Sequence, residues 1–208
     1  MNGLFITIEG ADGSGKTTVT HEVVKRLKET GIDVIHTREP GGIDIAEQIR
    51  DIILNPDNKE MDAKTEALLY AASRRQHLVE KVIPALNEGK LVISERYIDS
   101  SLAYQGVGRG IGLEAVYEMN RFATEDLMPH LTIFIDVKPE VGLSRINQNR
   151  TNKDRLDLEK TDFHRRVYEG YQQVKDRFKD RITVVDGNQS LEQVIEDVLQ
   201  IIMKKLKE

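Results

Sequence analysis

The residues best suited to chemistry stand near the start of the chain. Gly10, Gly15, Lys16 and Thr17 satisfy the spacing G-x-x-x-x-G-K-[ST]. Glycines at such points let the backbone turn tightly and aim its N–H groups at phosphate oxygens, and a helix opening at Lys16 adds the positive end of its dipole. In a loop of this kind the Lys16 ammonium reaches β- and γ-phosphates and the Thr17 hydroxyl ligates magnesium. Gly10 to Thr18, with Ala11, Asp12, Gly13 and Ser14 inside it, is therefore the candidate cradle for a nucleotide's phosphates. The short pattern also occurs by chance, so its setting decides. Leu4–Ile8 is apolar and β-rich, and Val19, Val23 and Leu27 recur at helical spacing behind the loop. That strand, loop and helix are what the chemistry requires; a glycine turn without nucleotide is the competing reading.

Two further groups stand at the ends of β-like runs. Arg38 opens Arg-Glu-Pro-Gly-Gly, a turn in any protein, but at the carboxyl end of a candidate parallel strand its guanidinium can hold a second phosphate bidentately. In Ser94-Glu95-Arg96-Tyr97, Glu95 can position magnesium through water and Arg96 can neutralise phosphoryl oxygens during transfer. A surface ion pair is the alternative for each alone; their joint placement argues against it. A third region, Asn147 to Lys160, is almost devoid of apolar residues and carries Arg150 and Arg155. Runs of charge are usually solvated loops. Beside a phosphate site the same composition suits a mobile lid that brings arginines to the transferred group.

The elements that must position these residues follow from periodicity. Apolar β-like runs recur at Leu4–Ile8, Val34–Thr37, Leu91–Ser94, Leu131–Asp136 and Ile182–Val185, with helical stretches between most of them. Such alternation predicts an α/β fold, a parallel sheet flanked by helices, and Leu131–Ile135 reads as a central strand. Expected helices are Ile43–Leu54, with Ile45, Ile49 and Ile53 on one face; Lys64–Glu88, kinked at Pro84 and ended by Gly89; Leu113–Leu127; and one marked by Phe163, Val167, Tyr171, Val174 and Phe178. A last helix begins at Ser190, with Gln193 as capping-box partner.

Composition narrows the function. A chain of 208 residues, 39% hydrophobic, can bury one substantial core, so one domain spanning 1–208 is expected. A net charge of −5 argues against sequence-independent nucleic-acid binding, which needs a basic face. No run is apolar for long enough to span a bilayer, and Glu9 interrupts the first one too early for a secretory signal, so a cytoplasmic protein without a membrane partner is expected. There is no cysteine, and the five histidines show no ligand spacing, which predicts surface or packing roles. A switch GTPase needs Asn-Lys-x-Asp, whereas Asn152-Lys153-Asp154 puts the aspartate one position early. A nucleic-acid-stimulated ATPase is disfavoured by the acidic balance.

With the P-loop, Arg38-Glu39-Pro40-Gly41-Gly42, Glu95-Arg96-Tyr97, Asp99-Ser100-Ser101-Leu102-Ala103-Tyr104-Gln105-Gly106 and Thr65-Glu66-Ala67-Leu68-Leu69 together, the chain resembles the bacterial thymidylate kinases from about Leu4 to the last helix. The resemblance implies a three-layer P-loop fold with a five-stranded parallel sheet, a homodimer, and transfer of the ATP γ-phosphate to dTMP with Mg2+. It places Asp12 on the sugar 3′-hydroxyl, Arg38 and Arg96 with the dTMP phosphate and Glu39 nearby, and Arg50 among the substrate-binding residues. Tyr70 would lie on the thymine face, where the family commonly has phenylalanine, and Arg74, Ser101 and Gln105 around the base. Tyr104 would fill the space of a ribose 2′-hydroxyl. Glu95 is one methylene longer than the aspartate frequent at its position. The loop lacks the arginine some members carry there, so the likeness is to the lid-arginine type. It gives Arg150 and Arg155 the charge-neutralising role and Arg145 the adenine stack, beside a loop at Asp186-Gly187-Asn188; these three arginines can exchange roles. A kinase for another nucleoside monophosphate, or a deoxynucleoside kinase of related fold, is the runner-up.

Overall fold

The computed structural model describes residues 2–149 and 154–208, the side chain of Asn149 excepted. Its centre is β1 (Leu4–Glu9), the middle strand of a five-stranded sheet. The strand order is β2 (Val34–Arg38), β3 (Leu91–Glu95), β1, β4 (Leu131–Asp136), β5 (Ile182–Asp186), with every pair parallel. The expected runs are all strands, and β1, β2, β3 and β5 each continue one residue past the apolar stretch. That extra residue is Glu9, Arg38, Glu95 or Asp186. Pairing in a ladder outlasts hydrophobicity because a strand end needs hydrogen bonds but no apolar side chain. The register sets Ile8 and Arg38 both opposite Glu95, which aligns three carboxyl ends along one edge.

Side chains of β1 alternate between the faces, as the pleat requires. Ile6 and Ile8 join Val19, Val23 and Leu27 of α1 (Lys16–Glu29) and Val198 and Ile202 of α9 (Leu191–Lys205) in one core. Phe5 points the other way, into Leu78, Val82, Leu86, Val92, Leu102, Val116 and Val174. On that second face Thr7 and Glu9 are also fully buried, so the core becomes polar as it nears the strand end. None of the described helices is long and apolar enough to cross a membrane.

The helices refine the sequence expectation. In α2 (Asp44–Leu54) Ile53 is fully buried, but its inward face is completed by Ala46, and Ile45 is 49% exposed. The expected long helix is a relay: α3 (Ala63–His77), a π turn over Leu78–Val82, then α4 (Ile83–Asn87) with Pro84 in its first turn. A proline early in a helix forfeits an N–H that has no partner anyway, so the widened turn just before it takes up the irregularity. A four-residue helix, α5 (Ile98–Ser101), leads into a second π turn, Leu102–Gly108, and then into α6 (Leu113–Thr124). At the head of α9 the Ser190 hydroxyl accepts from Gln193 N–H (3.3 Å), while the Gln193 side chain turns to Asp197 (2.8 Å), so only half a capping box forms.

Besides the short α5, a second helix was not expected. α7 (Pro139–Asn149) covers the first three residues assigned to the lid, and α8 (Thr161–Arg177) begins just past the last. Of the three buried positions among its described residues, Pro139, Gly142 and Ile146, the first two are a proline and a glycine, which leaves no helical apolar signal. Nor is residue 154–160 a plain solvated loop, because Arg155 and Leu156 are both 8% exposed and Leu156 packs with Tyr104 and Phe163.

Candidate active site

The loop after β1 turns through positive φ at Gly13 (75°) and Gly15 (87°), and Gly15 hands over to α1. A side chain at Gly13 would strike the backbone of Gly142, 2.1 Å from its carbonyl oxygen, so two glycines let α7 lie directly on the loop. The Lys16 ammonium folds back to the Ala11 carbonyl (3.3 Å) and stands 3.9 Å from Asp12. Burial, helped by the charge of Arg96, pushes it down to about 8 against the opposing pull of Asp12 and Glu95. Thr17 donates its hydroxyl to Glu95 Oε2 (2.7 Å), and Glu95 Oε1 meets His36 Nε2 at 3.0 Å. Burial alone would raise the Glu95 carboxyl; the bonds from His36 and Thr17 and the Lys16 charge bring it below its ordinary value. Among the described residues no group of three His, Cys, Asp or Glu could hold a metal. Thr17 and Glu95 do fit magnesium, which keeps several waters and shares itself between one or two carboxylates and the substrate's phosphates. The longer Glu95 side chain reaches Thr17 directly.

Arg96 is the hub of the site. It sits at φ 67°, a left-handed conformation that costs a side-chain-bearing residue about 1–3 kcal/mol and persists only when its surroundings impose it. Those surroundings are its own bonds. Nη1 donates to Ser100 Oγ (3.0 Å), Tyr171 Oη (3.1 Å) and the Gly10 carbonyl (3.3 Å), and Nη2 to Asp12 Oδ1 (2.5 Å) and Tyr104 Oη (3.2 Å). The Tyr104 ring lies 4.9 Å from the guanidinium, and its hydroxyl donates to Asp12 Oδ2 (2.7 Å). Burial would raise Asp12, but Arg96, Lys16 and the Tyr104 bond hold it down at about 2. Behind this layer, fully buried Glu9 accepts from Ser100 Oγ (2.6 Å), Tyr171 Oη (3.0 Å) and Tyr97 N–H (2.7 Å). Burial and then neighbouring Asp99 push Glu9 up to about 7.

The opposite wall comes from β2, α2 and α3. Arg38 is held by Glu47 (2.9 Å) and the Pro40 carbonyl (3.2 Å), and Arg50 by that same carbonyl (2.9 Å). Burial and then the adjacent Arg38 lower the Arg50 pKa. Arg74, 2% exposed, donates Nε to Glu39 Oε2 (2.7 Å) and Nη1 to Ser101 Oγ (3.0 Å) and to Asn120 Oδ1. His77 gives its Nδ1 proton to Glu39 Oε1 (3.1 Å), since a carboxylate only accepts, and pairs at Nε2 with Thr37 (2.7 Å). Glu39 is thereby kept below its usual pKa, although burial alone would raise it, and all its bonds serve the wall. Asp12, Lys16, Thr17, Arg38, Glu39, Arg50, Tyr70, Arg74, Glu95, Arg96, Ser101, Tyr104 and Gln105 line a single cavity.

The arginine expected at the adenine and those expected from the lid part company. Arg145 stands at the far rim of the P-loop, its guanidinium reaching the Gly13 (3.5 Å) and Gly187 (3.3 Å) carbonyls, next to the loop assigned to the adenine. Arg150 lies outside the described residues. The structure does not bring Arg155 to Lys16: its Nε donates to the Ile53 carbonyl (2.7 Å), its Nη2 to Glu66, and its backbone N–H to Leu54 O (3.0 Å). The Arg155 guanidinium thus rests on a buried carboxylate of α3. Sequence reasoning also missed Glu9, His36, His77 and Tyr171, which fix the cavity's side chains from behind. The two histidines carry no spacing signal because each serves one carboxylate brought in by another strand or loop.

The site can gather several anionic groups at once, because Lys16 and Arg96, and Arg38 and Arg50, crowd like charges together. The chain matches the family profile described as thymidylate kinase over residues 8–198. It is 57% identical over 207 residues to the thymidylate kinase of Bacillus cytotoxicus, covering 99% of this chain and all of that one. To that of Bacillus licheniformis it is 56% identical over 209 residues, covering 100% and 99%. The crystal structure of the thymidylate kinase of Ehrlichia chaffeensis superposes with a TM-score of 0.78 at 31% identity, over 97% of this chain and 99% of the other. A P-loop facing an arginine-lined cavity on a five-stranded parallel sheet, matched along nearly its whole length by these relatives, means that this chain belongs to the thymidylate kinase family.

Proposed function

We propose that the chain transfers the γ-phosphoryl group of ATP to dTMP, giving dTDP and ADP, a step toward dTTP. The observation that carries this reading is the one cavity that joins Lys16 and Thr17 at one end to Tyr70, Arg74 and Gln105 at the other. A planar base wants an aromatic platform and a few fixed polar partners, which is what the second end offers. The Ser14 hydroxyl, buried with no hydrogen-bond partner, suits a phosphate oxygen of the donor.

In this reading the protein positions and neutralises rather than forming covalent bonds. Lys16 and the backbone of Gly10–Thr18 hold the ATP phosphates, with Arg145 against the adenine. Arg38, Arg50 and Arg96 hold the dTMP phosphate in line, and Asp12 and Tyr104 stand at the sugar. Thr17 and Glu95 would hold magnesium, which would supply positive charge against that of the phosphates. Arg150 is the arginine left for the moving phosphoryl group, while Arg155 keeps its segment in place. Glu39 acts by orienting Arg74. The protein is a cytoplasmic single-domain enzyme with no nucleic-acid or membrane partner. It works as a homodimer whose contact covers Ile45 and Ile52 of α2, Leu68 of α3 and Phe122 of α6, all exposed, Phe122 by 89%.

The test is ADP release with ATP and Mg2+ against dTMP, dUMP, UMP, CMP, GMP and thymidine. Turnover with dTMP far above the others is expected. A preference for any other acceptor, or ADP release that ignores the acceptor, would overturn the assignment.

A further inference from the structure

One buried carboxylate holds together the cavity wall and the segment that precedes α8. Glu66, in the first turn of α3, is 1% exposed. Its Oε1 accepts from Gln105 Nε2 (2.9 Å) and Arg109 Nε (3.2 Å), and its Oε2 from Arg109 Nη2 (3.0 Å) and Arg155 Nη2. Arg109 reaches on to Glu159 (2.5 Å) and lies 4.4 Å from the Phe163 ring. Residues 155 and 159 are thus both tied to Glu66, one directly and one through Arg109. Between them Leu156, and beside them Asp154, line the same cavity as Gln105. Burial would raise this carboxyl, yet the bonds from Arg109, Gln105 and Arg155 keep it charged. Because a carboxylate only accepts, the Gln105 atom that meets it is the amide nitrogen, and the amide oxygen is the one free to turn to the cavity.

We infer that Glu66 is a positioning residue that couples occupation of the acceptor end of the cavity to the seating of residues 154–159. A ligand that fixes Gln105 fixes the orientation of the carboxylate on which Arg155 and Arg109 rest. Conversely, an unseated Arg155 removes Leu156 from the wall and takes from Glu66 one of the four bonds that set the carboxylate on which the Gln105 amide rests. The coupling runs through hydrogen bonds of one group, so it needs no movement of the sheet. It rests on the assignment of dTMP to this cavity.

The experiment compares wild-type protein with Glu66→Gln, which keeps the shape and removes the charge that holds two guanidiniums. Two quantities are read: backbone hydrogen exchange over residues 154–159 with and without dTMP, and steady-state KM for each substrate. In the wild type dTMP is expected to slow exchange across the segment. In Glu66→Gln that protection is expected to vanish, and KM for dTMP to rise about tenfold or more while KM for ATP stays within about twofold, since the interaction lost serves one substrate only. Glu159→Gln, at a partly exposed position, keeps the test open should the first variant fail to fold. It is expected to speed exchange of the segment without ligand and to raise KM for dTMP a few-fold. A folded Glu66→Gln with wild-type KM for dTMP and wild-type protection overturns the coupling, as does a Glu159→Gln indistinguishable from wild type in both readouts. A wild type that releases no ADP with dTMP overturns the acceptor assignment itself, whereas normal dTMP turnover with unaltered variants overturns the coupling alone.

Discussion

Asp12→Asn separates the electrostatic argument for the P-loop from a purely steric one. The Asp12 carboxyl stands at about 2 against an ordinary 3.8, with its side chain only 12% exposed. At roughly 1.4 kcal/mol per pKa unit, that depression stabilises the free protein by about 2 kcal/mol at neutral pH. A folded pKa below the unfolded one gives stability that is present above the unfolded value and disappears as pH falls through the folded one. The loss on Asp12→Asn should therefore be full at pH 7, about half as large near pH 3, and gone by about pH 1. For a chain of this length about 2 kcal/mol lowers Tm by roughly 4–8 °C. The assay is urea or thermal unfolding without phosphate or nucleotide, because an anion would replace the missing charge beside Arg96. A second readout follows from Lys16, whose pKa Asp12 raises. The alkaline limb of kcat/KM for ATP, which reports the free enzyme, should lie near 8 in the wild type and move lower in the variant. Equal Tm values at pH 7, a difference that stays constant down to pH 3, or an unmoved alkaline limb would refute the reasoning.

Other perturbations probe the remaining parts. Lys16→Met removes a buried charge whose pKa is pushed down to about 8, so the free protein should gain up to about 3 kcal/mol in urea unfolding at pH 7 while ATP-dependent transfer nearly vanishes; a less stable variant would contradict the burial argument. Gly142→Ala brings a Cβ to 2.3 Å from the Asp12 carbonyl and must push α7 off the loop, so KM for ATP should rise while dTMP affinity by calorimetry changes little. Glu39→Gln leaves buried Arg74 and His77 without their charge partner and should cost about 3 kcal/mol or more in unfolding, together with weaker dTMP binding; a neutral outcome would mean that Ser101 and Asn120 suffice to hold Arg74.

The P-loop and the five strands were legible because each is a local matter: glycines at fixed intervals, a lysine at a helix start, runs of apolar β-branched residues. Lys16, Thr17, Arg38, Glu95 and Arg96 could be placed on strand ends and one loop for the same reason. The resemblance supplied the next tier, Tyr70, Arg74 and Gln105, which periodicity alone would have left as helix residues. α7 escaped because one of its buried positions is the glycine that lets it touch the P-loop. The segment at 154–160 read as part of a mobile lid because nothing in its composition reveals that Arg155 finds Glu66, 89 residues away in the chain.

What the sequence by itself determined, then, is the phosphate cradle and the succession of strands along the chain, since both are set by the conformational needs of neighbouring residues. Only the tertiary structure decided which ionisable groups face one another. Glu9 behind Arg96, His36 on Glu95, His77 on Glu39 and Glu66 on Arg155 join residues from different elements. The charge a buried side chain keeps depends on partners that chain order does not announce, and a loop arginine acts on whichever anion lies nearest once the helices have packed.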